Sequence, residues 1–346
     1  MAELRRGRIH RRWVLIAPDR GERPFATAAP PEGAAAARPG NCPFCPGREA
    51  QTPPEIDRVT GPDGTWQVRV IPNRYPALSP CDEDSPGTGS CARQEPPRGA
   101  ARRRACGVHE VVIETPDHDR PLSALGVEHL ERVLGTFSAR MRALMENAAH
   151  RHVIVFKNRG AEAGASLAHP HSQIVATPMV PEDVADVLAT AEAYYHQEGR
   201  CLFCDVIDEE LADERRVVED ADGFTVLSPY AARLPFEVAI YPRRHVHDFT
   251  AETADVRRAL ACVLKRTLGR LSDVLGEAPY NLILQSAPNV VEPAARQRVA
   301  SAYHWRIEII PRLARLAGLE WATGMTINTV SPEMAAERLR NATPAR

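Results

Sequence analysis

The sequence predicts an α+β protein made of two related halves, each an antiparallel sheet with helices packed on one face. Three observations lead there. Short β-branched runs alternate with two long amphipathic stretches, 123–148 and 251–275, the mixed pattern of an α+β chain. The segment 109–118, HEVVIETPDH, aligns without gaps on 236–245, FEVAIYPRRH, and both copies end on a histidine. A Cys-x-x-Cys pair precedes each copy, Cys42/Cys45 and Cys201/Cys204, and paired strand candidates follow each. One duplication accounts for all of this, with halves at 1–180 and 181–346.

In the first half, strands are expected at 12–17 (RWVLIA), 66–71 (WQVRVI) and 109–114 (HEVVIE), where β-branched residues cluster between turn residues. A helix over 123–148 follows, with Ser123 as its cap and Leu130, Val133, Leu134 and Phe137 forming an i, i+3, i+4, i+7 stripe. Strands at 152–157 and 172–177 complete this half, and a helical stretch over 181–199 leads to the next. The second half then offers the repeated strand at 236–245, a helix over 251–275, and strands at 280–286 and 303–310. Residues 26–41 and 79–107, rich in Ala, Pro, Gly and charge, read as loops, and Arg102-Arg103-Arg104 within them as a solvated run.

Across 346 residues, 43 basic side chains face 45 acidic ones, and the isoelectric point is near 6.6. That balance argues against nucleic acid or an anionic membrane surface as partner and for a small molecule. No apolar run approaches the ~18 residues of a membrane span. Met1 to Arg12 is polar and arginine-rich, unlike an export signal, so a cytoplasmic protein is expected. Of the eight cysteines, the four in Cys-x-x-Cys pairs point to metal. Cys81, Cys91, Cys106 and Cys262 are expected to be reduced thiols.

Zinc favours four soft or borderline ligands in a tetrahedron, and a Cys-x-x-Cys turn supplies two of them. The repeat selects the rest: Cys42 and Cys45 with His118 and His169, and Cys201 and Cys204 with His245 and His304. His118 and His245 end the two copies of the repeated segment, so each site checks the other. His247 competes with His245 in the second. A thioredoxin-like redox pair is the plainer reading of one such turn, but it does not come twice with matched downstream histidines. Four protein ligands leave no open position, so both zincs are expected to be structural.

On an extended segment side chains alternate, so His169, His171 and Gln173 of His169-Pro170-His171-Ser172-Gln173 project to one side. His169 anchors the segment to the metal, and His171 stands beside it. A neutral imidazole is a nucleophile toward phosphorus, and attack on the α-phosphate of a nucleoside diphosphate gives a nucleotidyl-histidine that a second phosphate resolves. Gln173 offers an amide donor to the phosphate oxygen on which charge develops. Upstream, Asn158-Arg159-Gly160 and Gly164-Ala165-Ser166 form a small-residue loop suited to close phosphate approach. For a lone histidine, burial against backbone is the default reading; three polar groups on one face beside a metal ligand reverse it.

The run Phe156-Lys157-Asn158-Arg159-Gly160 through Gly164-Ala165-Ser166 to His169-Pro170-His171-Ser172-Gln173 resembles the active-site segment of galactose-1-phosphate uridylyltransferases, the nucleotidyltransferase branch of the histidine triad superfamily. The resemblance extends over nearly the whole chain. Trp13 to Pro24 is similar to the family's opening strand and arginine pair, Asn73-Arg74-Tyr75-Pro76 to its nucleoside-contacting turn, and residues 335–340, AAERLR, to its C-terminal segment.

This resemblance implies two tandem histidine-triad-like halves and a ping-pong uridylyl transfer. UDP-glucose would leave UMP on His171, stabilised by Gln173, and galactose 1-phosphate would take it up. It further implies phosphate contacts from Asn158, Gly164 and Ser166, a base and ribose near Asn73 and Tyr75, and Arg20 and Arg23 reaching the substrate across a homodimer. One region departs from the pattern. Residues 320–328 lack the lysine and glutamine with which galactose-handling members contact the hexose phosphate. Thr323-Gly324, Ile327-Asn328, the second cysteine pair and His304-Trp305 are closer to the branch containing plant ADP-glucose phosphorylase, in which an adenylyl group moves to phosphate. A third class, a non-catalytic zinc-stabilised nucleotide-binding module, conflicts with the near-neutral charge and the 5% aromatic content.

Overall fold

The computed structural model describes residues 2–19, 42–80 and 105–342. The first half supplies β1 (Glu3–Arg6), β2 (Trp13–Ile16), β3 (Asp57–Thr60), β4 (Trp66–Pro72), β5 (Val108–Ile113), α1 (Val127–Met145), β6 (His152–Arg159) and β7 (His171–Thr177). The second supplies α2 (Glu182–Glu198), α3 (Leu202–Asp213), β8 (Val217–Ala221), β9 (Phe224–Leu227), β10 (Val238–Pro242), α4 (Ala254–Leu275), β11 (Tyr280–Gln285), α5 (Pro293–Ala302), β12 (Arg306–Pro311), α6 (Gly318–Thr323), β13 (Thr326–Asn328) and α7 (Pro332–Asn341).

Ten strands form one sheet in the order β3-β4-β5-β7-β6-β11-β12-β10-β9-β8, and every pairing in it is antiparallel. Read inward from its edges, the two halves occupy the sheet in the same sequence, and β6 pairs with β11 where they meet. The N-terminal strands do not follow this division. β2 pairs in parallel with β13, near the end of the chain, and in antiparallel with β1, making a separate three-stranded sheet.

Strand alternation sorts side chains to two faces. On one face Leu130, Val133, Leu134 and Phe137 of α1 meet Leu260, Leu264 and Leu268 of α4 above Val112, Val155, Ile240 and Leu284 in a single core spanning both halves. Each such buried side chain contributes about 1.5–3 kcal/mol. The opposite face differs between halves. In the second, Val187 of α2, Phe203 and Ile207 of α3 and Val299 of α5 cover Leu227, Ala239 and Tyr241. In the first, only the small cluster of Cys42, Phe44, Trp66, Ile71, Val111 and Ile113 forms, and no α-helix among the described residues joins it.

Element ends depart from expectation in informative ways. The first long helix starts at Val127 behind Gly126, while Ser123 lies in a short 3-10 turn, Leu122–Ala124, and caps nothing. Leu122 and Leu125 are both buried there, which bends the chain before the helix begins. The second long helix starts at Ala254 because the Thr253 side chain accepts from the Val256 N–H. The strand expected from 303 starts at Arg306.

The ungapped match of 109–118 on 236–245 also needs adjustment. His169 and His304 play the same part in the two metal groups, which makes Gln173 and Glu308 equivalent; Gln173 pairs with Val111 and Glu308 with Ala239. The strands are therefore offset by one residue from the sequence match, as face demands: Val111 and Ala239 both point to the back face. Of the remaining cysteines, Cys262 is free as expected, Cys106 is instead disulfide-bonded, and Cys81 and Cys91 lie outside the described residues.

Candidate active site and metal groups

Two clusters of metal-ligating atoms form, and they contain the expected residues. Sγ of Cys42 and Cys45 with ring nitrogens of His118 and His169 lie within 4.8 Å of one another, as do those of Cys201, Cys204, His245 and His304. Cys45 Sγ is 3.3 Å from His118 Nδ1 and 3.7 Å from His169 Nδ1; Cys204 Sγ is 3.4 Å from His245 Nδ1 and 3.7 Å from His304 Nδ1. A zinc tetrahedron with ordinary bond lengths sets sulfur and nitrogen about 3.6 Å apart. His247 takes no part.

The backbone fixes which nitrogen is free on three of the four rings. His169 Nε2 donates to the Thr115 carbonyl at 2.8 Å and His304 Nε2 to the Pro242 carbonyl at 2.9 Å, while His245 Nε2 donates to the Ala300 carbonyl at 2.8 Å. Each leaves Nδ1 unprotonated toward the thiols, the outer-shell arrangement that orients metal ligands. Burial lowers His169 to about 4, which keeps it neutral. Burial and the neighbouring Cys42 push the Cys45 thiol up to about 11. A dication between the sulfurs removes that penalty.

His171 opens β7 directly after this anchor. Its Nδ1 donates to the His169 carbonyl at 2.8 Å, so the neutral ring carries its lone pair on Nε2. Burial lowers its pKa, and the Lys157 ammonium lowers it further. Phe44 from the cysteine turn packs edge-on against both His169 and His171, with centroids 5.9 and 5.6 Å away. A cavity of about 280 Å³ opens beside His171 and is also lined by Lys157, Asn158, Gly160 and Leu167.

Beneath the strand lies a buried ion pair. Lys157, 3% exposed, donates to Glu114, 0% exposed, at 2.7 Å and to the His171 carbonyl at 3.2 Å, while Ser172 Oγ donates to the other Glu114 oxygen at 2.5 Å. These bonds hold the backbone on both sides of the His171 peptide. On the same strand, Gln173 Oε1 is 2.8 Å from His109 Nε2.

Against known proteins, the pattern of the N-terminal domain of galactose-1-phosphate uridyl transferase matches residues 2–181 and that of its C-terminal domain residues 188–344. The chain belongs to the galactose-1-phosphate uridyl transferase family. An ADP-glucose phosphorylase of Arabidopsis thaliana is 34% identical over 98% of this chain and 92% of its own. A galactose-1-phosphate uridylyltransferase of Thermotoga maritima is 30% identical over 98% of each. A crystal structure of the Arabidopsis thaliana ADP-glucose phosphorylase with bound ADP-glucose superposes with a TM-score of 0.82 at 31% identity, covering 99% of both chains. A uridylyltransferase structure superposes at 0.69 with 29% identity, covering 98% of this chain and 97% of that one.

Within this family member, Asn158 lines the cavity with His171, and its Oδ1 accepts from Asn281 Nδ2 at 2.9 Å across the junction of the halves. Gly164 and Ser166 lie on the exposed loop between them, outside the cavity wall. That loop needs its glycines. Gly160 has φ +84°, and a Cβ there would fall 2.7 Å from Pro279 Cβ; Gly164 has φ +91°. Asn73 sits 3.1 Å from His109, and Tyr75 is 82% exposed; neither lines the cavity. Arg20 and Arg23 lie outside the described residues.

Sequence reasoning missed His109, Glu114, Lys157 and Ser172 as site residues. A signal existed for one of them: Lys157 is one of only two lysines in a chain otherwise supplied with arginine.

Proposed function

We propose that the protein is a nucleotidyltransferase that carries a nucleoside monophosphate on His171, moving UMP from UDP-glucose to galactose 1-phosphate. The observation that carries this reading is the bond from His171 Nδ1 to the His169 carbonyl, which leaves Nε2 unprotonated on a residue that lines the cavity. In the first step Nε2 attacks the α-phosphorus. The P–N bond forms as the bond to the bridging oxygen breaks, and hexose 1-phosphate leaves with the electron pair. The imidazolium charge this creates is met by the His169 carbonyl and opposed by Lys157, so the intermediate is poised to react again. In the second step a phosphate oxygen of the acceptor attacks the same phosphorus, and Nε2 departs with its electrons.

Gln173 would donate to a non-bridging oxygen during both transfers, and Asn158, Gly164 and Ser166 would meet phosphate, with the nucleoside toward Asn73 and Tyr75. Zinc held by Cys42, Cys45, His118 and His169, and by Cys201, Cys204, His245 and His304, would supply rigidity and no reactive position, since all four ligands in each set come from the chain. The same reading includes a homodimer in which Arg20 and Arg23 complete the site, residence in the cytoplasm, and halves divided at 180/181. Among the described residues no helix is long and apolar enough to cross a membrane.

A second reading keeps His171 and changes the groups: adenylyl transfer from ADP-glucose to phosphate. The superposition with the ADP-glucose phosphorylase and the sequence of residues 320–328 favour it. Incubating the protein separately with UDP-glucose and with ADP-glucose, without acceptor, and weighing the intact chain before and after mild acid decides between them. An acid-labile uridylyl adduct is the expected result. An adenylyl adduct moves the assignment to the phosphorylase reaction, and no adduct from either donor overturns both.

A further inference from the structure

A glutamine amide can present either its oxygen or its nitrogen to a ligand, and only one of these suits a phosphate. We infer that His109 is the positioning residue that turns the Gln173 amide so that its NH2 group faces the substrate. The inference rests on the nucleotidyl-transfer reading of the site.

The proton position on His109 follows from its backbone partner, whose role is fixed. The Ala77 backbone N–H donates to His109 Nδ1 at 3.1 Å. A backbone N–H cannot accept, so Nδ1 carries no proton and the neutral ring is protonated on Nε2. Among the described residues two side chains approach that nitrogen. Asn73 Nδ2 is 3.1 Å away, with its amide oriented by Oδ1 accepting from the Tyr75 N–H at 2.9 Å; a donor facing a protonated Nε2, it makes no hydrogen bond there. Gln173 Oε1, at 2.8 Å, is the acceptor. With its oxygen committed to His109, Gln173 turns its NH2 away from the ring.

The second half shows what the same two sheet positions do without this arrangement. Gln173 corresponds to Glu308, and with the strands matched through Val111 and Ala239, His109 corresponds to Glu237. There the Arg233 guanidinium binds both carboxylates, Glu237 at 2.5 Å and Glu308 at 2.7 Å. The geometry therefore couples these two positions in each half. In the first half the coupling runs through a directional imidazole that leaves a donor free, and in the second through a charge that consumes both acceptors.

Three variants and one spectroscopic measurement test this. His109→Phe keeps the ring shape and removes the donor. His109→Gln places an amide NH2 near the former Nε2. His109→Glu supplies a carboxylate that accepts from Gln173 and turns its oxygen outward. For whichever donor labels the protein, His109→Phe is expected to lower kcat by about 10–100-fold with KM changed by less than about threefold, as loss of a transition-state donor does. His109→Glu should be at least as impaired, and His109→Gln should recover to within about threefold of the parent. In a Gln173→Ala background, His109→Phe should cost little more, because both changes remove one interaction. Additive losses, or equal impairment of His109→Gln and His109→Phe in folded protein, overturn the inference. Nitrogen-15 NMR of the histidine side chains, assigned by difference against His109→Gln, reads the tautomer without turnover. A proton on Nδ1 overturns the inference by itself, whereas failure of the parent protein to take a label from either donor overturns the nucleotidyl-transfer reading.

Discussion

In the first half of the sheet, Cys42, Cys45, His118 and His169 pin the start of β7; in the second, Cys201, Cys204, His245 and His304 pin the start of β12. Ligand types agree between the two, and so do the tautomers of His169 and His304 and the carbonyls, Thr115 and Pro242, that set them. Two residues beyond the anchoring histidine the halves part company: His171 becomes Arg306, and Gln173 becomes Glu308. Arg306 donates to Glu308 at 2.8 Å, Arg233 closes on the same carboxylate, and His10 from the N-terminal segment stands 3.3 Å away. Helices α2, α3 and α5 then cover that face. The same cysteine–histidine group thus stands at the start of each strand, and the residues after it decide whether the position becomes an interior ion-pair network or an open site.

The largest contrast comes from removing the first-half histidine. His171→Gly should abolish the acid-labile adduct and lower turnover by about a thousandfold or more, since the covalent route has no substitute nucleophile; Arg306→Gly should leave the adduct at one per chain by intact mass. A label surviving in His171→Gly would place the chemistry elsewhere. Next in size is the difference between the cysteine pairs. Cys45→Ser and Cys204→Ser should each lower bound zinc by about one equivalent and cost several kcal/mol of stability, measured by metal analysis and calorimetry. Only Cys45→Ser should also reduce the rate at a temperature where both remain folded, because His169 adjoins His171.

The buried pair under β7 comes third. Lys157→Met leaves the enclosed Glu114 carboxyl without its ion-pair partner, which should cost about 3–5 kcal/mol in urea unfolding. Lys157→Met with Glu114→Leu should recover much of that loss while still slowing transfer, because the His171 carbonyl has lost its donor. The smallest effect is the pH response of the second half. Burial works against the charge on Glu308, but Arg306, Arg233 and His10 more than offset it and hold its pKa well below the usual carboxylate range, with Glu237 facing the same guanidinium. A depressed carboxylate contributes stability that is complete above the unfolded value of about 4.3 and is lost as pH falls through the folded value. Unfolding midpoints should therefore drop below about pH 4, and Glu308→Gln should flatten that drop.

Much of this was legible because some chemistry is local in sequence. Cys-x-x-Cys turns, a matched histidine and the His169 to Gln173 run each declare themselves over a few residues, and the long stripes of α1 and α4 need only periodicity. What stayed hidden depended on register. The one-residue offset between the repeated strands cannot be seen in residues that match without gaps, yet it places Glu237 opposite the role of His109. Ser123 looked like a cap because its hydroxyl could serve, but the burial of Leu122 and Leu125 overrode that local preference.

The sequence alone determined the two cysteine–histidine groups, the histidine proposed to react and the duplicated order of elements, because each rests on residue type at short or repeated spacing. Tertiary structure decided the rest. It joined the halves into one sheet through β6 and β11, carried the N-terminal strands across to β13, buried Lys157 against Glu114, and chose by hydrogen-bond geometry which nitrogen of His169, His171, His245 and His304 is free. Those outcomes belong to groups distant in sequence whose polar atoms, once desolvated, must each find a partner.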